Sequence, residues 1–441
     1  MRIRWLALLM LFFAACAQSA PQIQNWVTGN GARVYFVPAH ELPMVDIRVV
    51  FDAGSARDGQ LNGLAKLTNG MFSEGAAGLD ADAIAERFAR LGAQLSNSSA
   101  RDMASVGLRS LRGPASLDPA AALLADLIAR PDFPADALER LRQQMLVGLR
   151  RGRQSPGTIA QRAFYRELYP DHPYGNPPAG EDAGVEAITG EDISAFHKQF
   201  YVGANAVVAV VGDLSRAHAE RLVDSVVGDL PSGQAAPVLP PVPRSGGSRD
   251  RSVSHPSTQA HILMGQPGMS RLDADFYPLY VGNHILGGSG LVSRLNDTIR
   301  EQRGLAYSVY SYFVPMRVAG PYIVGMQTGS KNTATALSLL REEVARFVAK
   351  GPSEEELDDA KRNITGGFPL RIASNSKILG YLGLIGFYRL PLDYLQRFNE
   401  RVMAVTRAQV NDAFQRRVDP ASLITVVLGP ATAAADAGQA R

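Results

Sequence analysis

Residues Ala187–Gly212 read AITGEDISAFHKQFYVGANAVVAVVG, and residues Ala404–Gly429 read AVTRAQVNDAFQRRVDPASLITVVLG. The two stretches align without a gap at a constant offset of 217 residues. In each, a threonine (Thr189, Thr406) precedes a helical pattern and is placed to accept from the helix's first N–H groups as an N-cap. A β-branched run follows in each (206–212, 423–429), ending at Gly212 or Gly429, as a buried strand does. A repeat of this kind predicts two copies of one unit.

A boundary between the copies is visible. Pro231–Pro256, PSGQAAPVLPPVPRSGGSRDRSVSHP, is rich in Pro, Gly and Ser and has no apolar period, so it reads as an extended linker. It separates an N-terminal domain (22–230) from a C-terminal domain (257–431), with a tail over 432–441. In the first domain Val34–Val37 and Val45–Phe51 read as a strand pair, and helical patterns cover 80–92, 115–129, 135–151 and 190–200. The second reads as strand (260–266), helix (273–286), helix (291–302), strands (305–314 and 320–328) and helix (331–349). A further helix starts at Ser353, where Ser353–Glu356 matches a capping box. Strands and helices in this irregular order predict α+β units, each an antiparallel sheet with helices packed on one side.

Composition agrees with a globular chain. Of 441 residues, 46% are hydrophobic and 20% charged, and the net charge of +3 is spread without a basic block. That argues against a nucleic-acid partner. Residues 1–17 read as a targeting segment: Arg2 and Arg4, an apolar core Trp5–Ala15, and Ala15-Cys16-Ala17 as a cleavage site. Export to a bacterial periplasm is the expectation. Cys16 is the only cysteine, so no disulfide framework is available. The run FAAC (13–16) also makes Cys16 a candidate for lipidation and membrane anchoring.

Four stretches carry a likeness to a known family: NGLAKLTNGMFSEGA (62–76), ELYPDHPYGNPPAGE (167–181), FYVGANAVVAVVGDLS (200–215) and GGSGLVSRLNDTIREQRGLAYSVYSYF (287–313). Over essentially the whole mature chain the sequence resembles the pitrilysin/insulinase family of zinc peptidases, the inverzincins. The resemblance implies two homologous domains forming a clam-like half-shell. It also implies an H-x-x-E-H helix, with a glutamate further on as the third zinc ligand.

Here the helix positions hold Lys66, Asn69 and Gly70, and the aligned third position is Gly148. Zinc needs imidazole nitrogen or carboxylate oxygen, and its water needs a base. Lysine is a cationic donor, asparagine is no base, and glycine has no side chain. No metal and no catalytic residue are expected in this chain alone. Lys66 has two readings: its ammonium takes the cation's place beside a carboxylate, or it runs out to solvent, which is the ordinary case.

The family's second half supplies an Arg and a Tyr that reach the substrate backbone, and Arg300 and Tyr307 match that pair. Gly304 can end the helix that carries Arg300, and Tyr307 opens a strand, which would let both point into one cavity. A guanidinium can grip a carbonyl, and a phenol can donate to an oxyanion. The turn Gly287-Gly288-Ser289-Gly290 is a candidate peptide contact through its backbone or a plain connection. The seven histidines show no ligand spacing and read as surface or internally bonded residues.

The resemblance therefore implies a non-catalytic subunit that binds peptide for a partner carrying H-x-x-E-H and the zinc. The alternatives are a peptide-binding or scaffold protein with no peptidase role, and an independent zinc peptidase with displaced ligands.

Overall fold

The computed structural model describes residues 21–243 and 246–430. Residues 1–17, read above as a targeting segment with Cys16, and the tail over 432–441 lie outside them. The first half runs β1 (Gln24–Val27), β2 (Arg33–Pro38), β3 (Met44–Phe51), α1 (Leu64–Met71), β4 (Gly75–Ala76), β5 (Leu79–Asp80), α2 (Ala81–Arg90), β6 (Gln94–Ser99) and β7 (Ala104–Leu111). It continues through α3 (Pro114–Ala129), α4 (Ala135–Gly152), α5 (Pro156–Leu168), α6 (Asp182–Ala187), α7 (Gly190–Phe200), β8 (Ala206–Gly212) and α8 (Arg216–Val227). The second half runs β9 (Asp250–Ser254), β10 (Gln259–Pro267), α9 (Phe276–Asn283), β11 (Ser308–Phe313), β12 (Pro321–Gly329) and α10 (Thr333–Lys350). It ends with α11 (Glu354–Arg371), α12 (Asn375–Tyr388), α13 (Tyr394–Met403), α14 (Arg407–Arg417) and β13 (Ile424–Gly429).

Both copies of the repeated stretch fold alike. Thr189 and Asp192 close a capping box on α7, and Thr406 and Gln409 close one on α14. Each helix is followed by a single 3₁₀ turn (Gly203–Asn205, Pro420–Ser422) and then by a fully buried strand. The repeat reaches further than the sequence alone discloses: α10, α11 and α12 each start 219 residues after α3, α4 and α5.

The sheet orders are β1-β2-β8-β3-β7-β6 and β11-β12-β10-β13-β9. The sheets are largely antiparallel, but β8 runs parallel to β2 and β13 parallel to β9. Three local expectations change. The strands at 33–38 and 44–51 do not pair with each other, because β8 returns from far along the chain to lie between them. The stretch read as linker contains β9, held parallel to β13. The region 284–301 is not two regular helices but winds through wide π turns at His284–Gly288 and Asn296–Glu301.

Each sheet is covered on one face by helices of its own half. The first packs Val34, Phe36, Val208 and Val210 against α3, α7 and α8. The other face of each sheet is covered by a helix from the opposite half. Leu379, Leu382 and Ile385 of α12 join Tyr35, Val50, Val207 and Ala209 of the first sheet in one cluster. In return, Ala160, Phe164 and Leu168 of α5 pack with Leu263, Ile424 and Val426 of the second. Gly386 lets α12 come close: a Cβ there would lie 2.3 Å from Val207 Cγ1 and 2.6 Å from Tyr35 Cε2. The loop after β11 also docks across the halves, where Asp102 accepts from the backbone N–H of Arg317 at 2.8 Å and from the Tyr174 phenol at 2.6 Å.

Candidate functional site

Helix α1 carries the positions at which the family resemblance calls for zinc ligands. The chain enters it through Gly63 at φ 114°, in the left-handed region that favours glycine. Asp58 caps it from upstream, accepting from the N–H groups of Gly63 and Ala65, both at 2.8 Å. Burial pushes the Asp58 carboxyl up to about 7, against those two bonds, which lower it. Leu64, Ala65, Leu67 and Met71 turn into the core, which fixes the helix's rotation.

That rotation decides where the three site positions point. Lys66 is exposed. Its ammonium has no carboxylate within 4.0 Å among the described residues, so the cation-replacement reading has no partner there. Asn69 is only 2% exposed. Its Nδ2 donates to Ser105 O at 3.3 Å, and its own carbonyl accepts from Asn97 Nδ2 at 3.0 Å. Asn69 thus ties α1 to β6 and β7 and serves as a structural residue. A Cβ on Gly70 would stand 3.5 Å from Leu141 Cδ1, and one on Gly63 would stand 3.4 Å from Met145 Cε. The α4 side chains that come nearest Gly63 and Gly70 are therefore apolar. Gly148 lies about one turn beyond them, with no atom within 4 Å of a Cβ there. It lines a different cavity, with Arg101 and Tyr165.

This donor set does not fit zinc. No two of the four positions offer a nitrogen or oxygen lone pair to a common point. Among the described residues, no group of three or more His, Cys, Asp or Glu side chains is placed to hold a metal ion. His197, half-buried, and His172, buried, have local partners instead. His197 Nε2 bonds Ile128 O at 2.7 Å, and His172 Nε2 bonds Pro240 O at 3.0 Å while its Nδ1 accepts from Tyr174 N. Burial lowers the pKa of both.

Arg300 sits in the second π turn, partly exposed, with its Nε 3.8 Å from the carboxylate of Glu301. Gly304, at φ +61°, closes the turn by donating to Arg300 O at 2.9 Å. Tyr307 is 63% exposed, and its N–H donates to Gln327 O at 2.9 Å, so the β11–β12 pairing extends back to it. No hydrogen bond or cation–π contact joins Arg300 to Tyr307. Their side chains stand at the surface on consecutive elements.

The glycine turn has packing reasons of its own. A Cβ on Gly287 would meet Ser311 N at 2.4 Å, and one on Gly288 would meet Asn283 Nδ2 at 2.9 Å. Gly290 has φ +65°. All three line a cavity of about 490 Å³ in the second half. Beyond these glycines no sequence signal points to the cavity, whose walls come from residues 269 to 398, nor to Met145.

Two family models match the chain: "Insulinase (Peptidase family M16)" over residues 33–182 and "Peptidase M16 inactive domain" over residues 187–364. The non-peptidase homolog YmxG of Helicobacter pylori is 28% identical over 382 residues, 86% of this chain and 87% of that protein. A crystal structure described as a peptidase M16 inactive domain from Pseudomonas fluorescens superposes with a TM-score of 0.90 at 40% identity, covering 92% of this chain and 98% of that one. A protease from H. pylori shares the fold at a TM-score of 0.84 and 19% identity, covering 93% and 100%.

Proposed function

This chain belongs to the insulinase family of peptidases, M16, and we propose that it is a subunit that breaks no bonds itself. In this reading it binds a peptide and orients it for a second M16 chain that carries H-x-x-E-H. The observation that carries the proposal is the donor set of α1 and α4: an exposed lysine, a structurally engaged asparagine and two glycines, one of them, Gly70, set against apolar Leu141. Zinc and the general base would come from the partner.

The second half keeps what a substrate-orienting subunit needs. The exposed Tyr307 phenol can donate to a developing oxyanion, and the Arg300 guanidinium can hold a carbonyl. The targeting segment over residues 1–17 supports a place outside the cytoplasm, in a periplasm, with Cys16 as the lipidation candidate. The test is a mixing experiment. This chain, added to an H-x-x-E-H homologue, should raise the rate at which unfolded peptides are cleaved. A mixture no faster than the homologue alone removes the proposal.

A second reading has one observation in its favour. Strand β6 is an edge of its sheet, exposed and polar along Gln94–Ser99. An extended peptide can add to such an edge without any catalysis. Peptide binding by the isolated chain, with no partner in pull-downs, would select this scaffold reading. Stoichiometric zinc in the purified chain would select an independent peptidase over both.

A further inference from the structure

The 490 Å³ cavity in the second half has a chemistry that the partner-subunit reading does not use. It opens between α9, the glycine turn, β11 and the helices α11 to α13. Its volume is in the range of small-ligand sites. Phe276, Tyr280, Tyr381 and Phe398 form much of the wall, and Arg271 and Arg371 supply the charge.

Among the described residues no aspartate or glutamate lines it. Neither arginine has a carboxylate within 4.0 Å among the described residues. Arg371 is held by the Tyr280 phenol, 2.7 Å from one of its terminal nitrogens. Arg271 lies over the Phe276 ring, its guanidinium carbon 5.1 Å from the centroid. The Arg271 Nε is buried without a hydrogen-bond partner among the described residues. A buried guanidinium N–H that lacks an acceptor is unfavourable, and a ligand that brings one is favoured by the amount that desolvation costs.

From this juxtaposition we infer that the cavity binds a carboxylate carried on an apolar or aromatic group. The planar guanidinium fork suits a carboxylate, and the aromatic walls suit the body attached to it. Two sources share that chemistry: the C-terminus of a peptide ending in an apolar residue, and a small arylalkanoic acid. The site lies wholly within this chain and needs no partner subunit, so its failure and the failure of the proposed function are separate results.

Calorimetric titration of the full chain tests the inference with three probes: an unfolded peptide ending in phenylalanine, the same peptide amidated at its C-terminus, and phenylpropionate. The free acid should bind, and amidation should weaken binding about tenfold or more. Arg271→Met should abolish the preference for acid over amide while leaving the amide's affinity where it was. Arg271→Lys, which keeps the charge but not the fork, should fall between. Thermal melts of the variants separate lost recognition from lost folding, and Arg371→Met offers a second route if Arg271→Met does not fold. Competition by phenylpropionate would make small acids sufficient, and its absence beside a surviving acid preference would assign the site to peptide ends. Equal affinity for acid and amide, a preference that survives both arginine substitutions, or no binding of any probe would overturn the inference.

Discussion

The phenol of Tyr388, in the second half, donates to the carboxylate of Asp102, in the first, at 2.8 Å. The same carboxylate takes the Tyr174 phenol and the Arg317 N–H, so one buried anion holds three donors from both halves. Burial and the neighbouring charge raise the pKa of both phenols, which keeps them protonated as donors. Asp102→Ala should lower stability by about 3 kcal/mol or more, since three donors lose their acceptor, and Tyr388→Phe by about 1.5–3 kcal/mol. Urea midpoints check both. Losses under about 0.5 kcal/mol would mean that water replaces these bonds freely.

Two glycines of α12 should respond with opposite sign. At Gly386 an added methyl runs into Val207 and Tyr35, and the overpacking cost of about 1–3 kcal/mol exceeds the helix-propensity gain of up to about 1 kcal/mol. At Gly380 a Cβ meets nothing within 4 Å, so only the gain remains. Gly386→Ala should therefore lower the melting temperature and Gly380→Ala raise it. A rise at both would show that α12 does not press on the first sheet.

The apolar contacts of α4 predict which repair of the metal site works. Lys66→His, Asn69→Glu and Gly70→His together should bind zinc weakly, because no third ligand is in reach. Adding Met145→Glu should tighten zinc by about tenfold more than adding Gly148→Glu, a difference of about 1.4 kcal/mol. Zinc competition with a chromophoric chelator measures it, and the reverse order would put Gly148 back in the third-ligand place.

Asp58 gives the chain a pH signature. Its carboxyl goes from the ordinary aspartate value of 3.8 up to about 7 on folding. A raised folded value means that the folded state holds the proton more tightly, so this contribution is complete below about pH 4 and fades as pH rises through about 7. Asp58→Asn should flatten the fall of stability across that window, which spans a few kcal/mol at most. An unchanged slope in denaturation series at pH 4 to 8 would refute the assignment.

In the mixing assay, Tyr307→Phe and Arg300→Ala should each reduce partner-dependent cleavage by about tenfold or more, in line with losing an oxyanion donor. Because Tyr307 is 63% exposed, its melting temperature should hardly move. Full activity of both variants would strip the pair of its proposed role.

How much of this was legible beforehand depended on the distance over which each residue acts. The N-caps at Thr189 and Thr406 and the capping box at Ser353 were readable because a cap and its partner lie within three residues of each other. So was the loss of H-x-x-E-H, which needs only residue identities. Strand neighbours were not: β2 and β3 look like a hairpin until β8, more than 150 residues on, is seen between them. The helical spacing of Leu379, Leu382 and Ile385 marks an apolar face but not which sheet it covers, since hydrophobic period carries no address. Asn69 read as a vacant catalytic position, whereas its bonds to β6 and β7 depend on strands that fold up from elsewhere. The Arg271–Arg371 cavity gathers residues from five elements, and no spacing marks it.

The reciprocal loan of α5 and α12 ties the fates of the two halves together. Each sheet has one face that its own half leaves bare and the opposite half fills. A surface presented by one copy and filled in kind by its sister has the geometry of a twofold pair. Neither half can therefore be cut away without leaving an apolar sheet face open to water, and separately expressed halves should be sticky until they are mixed.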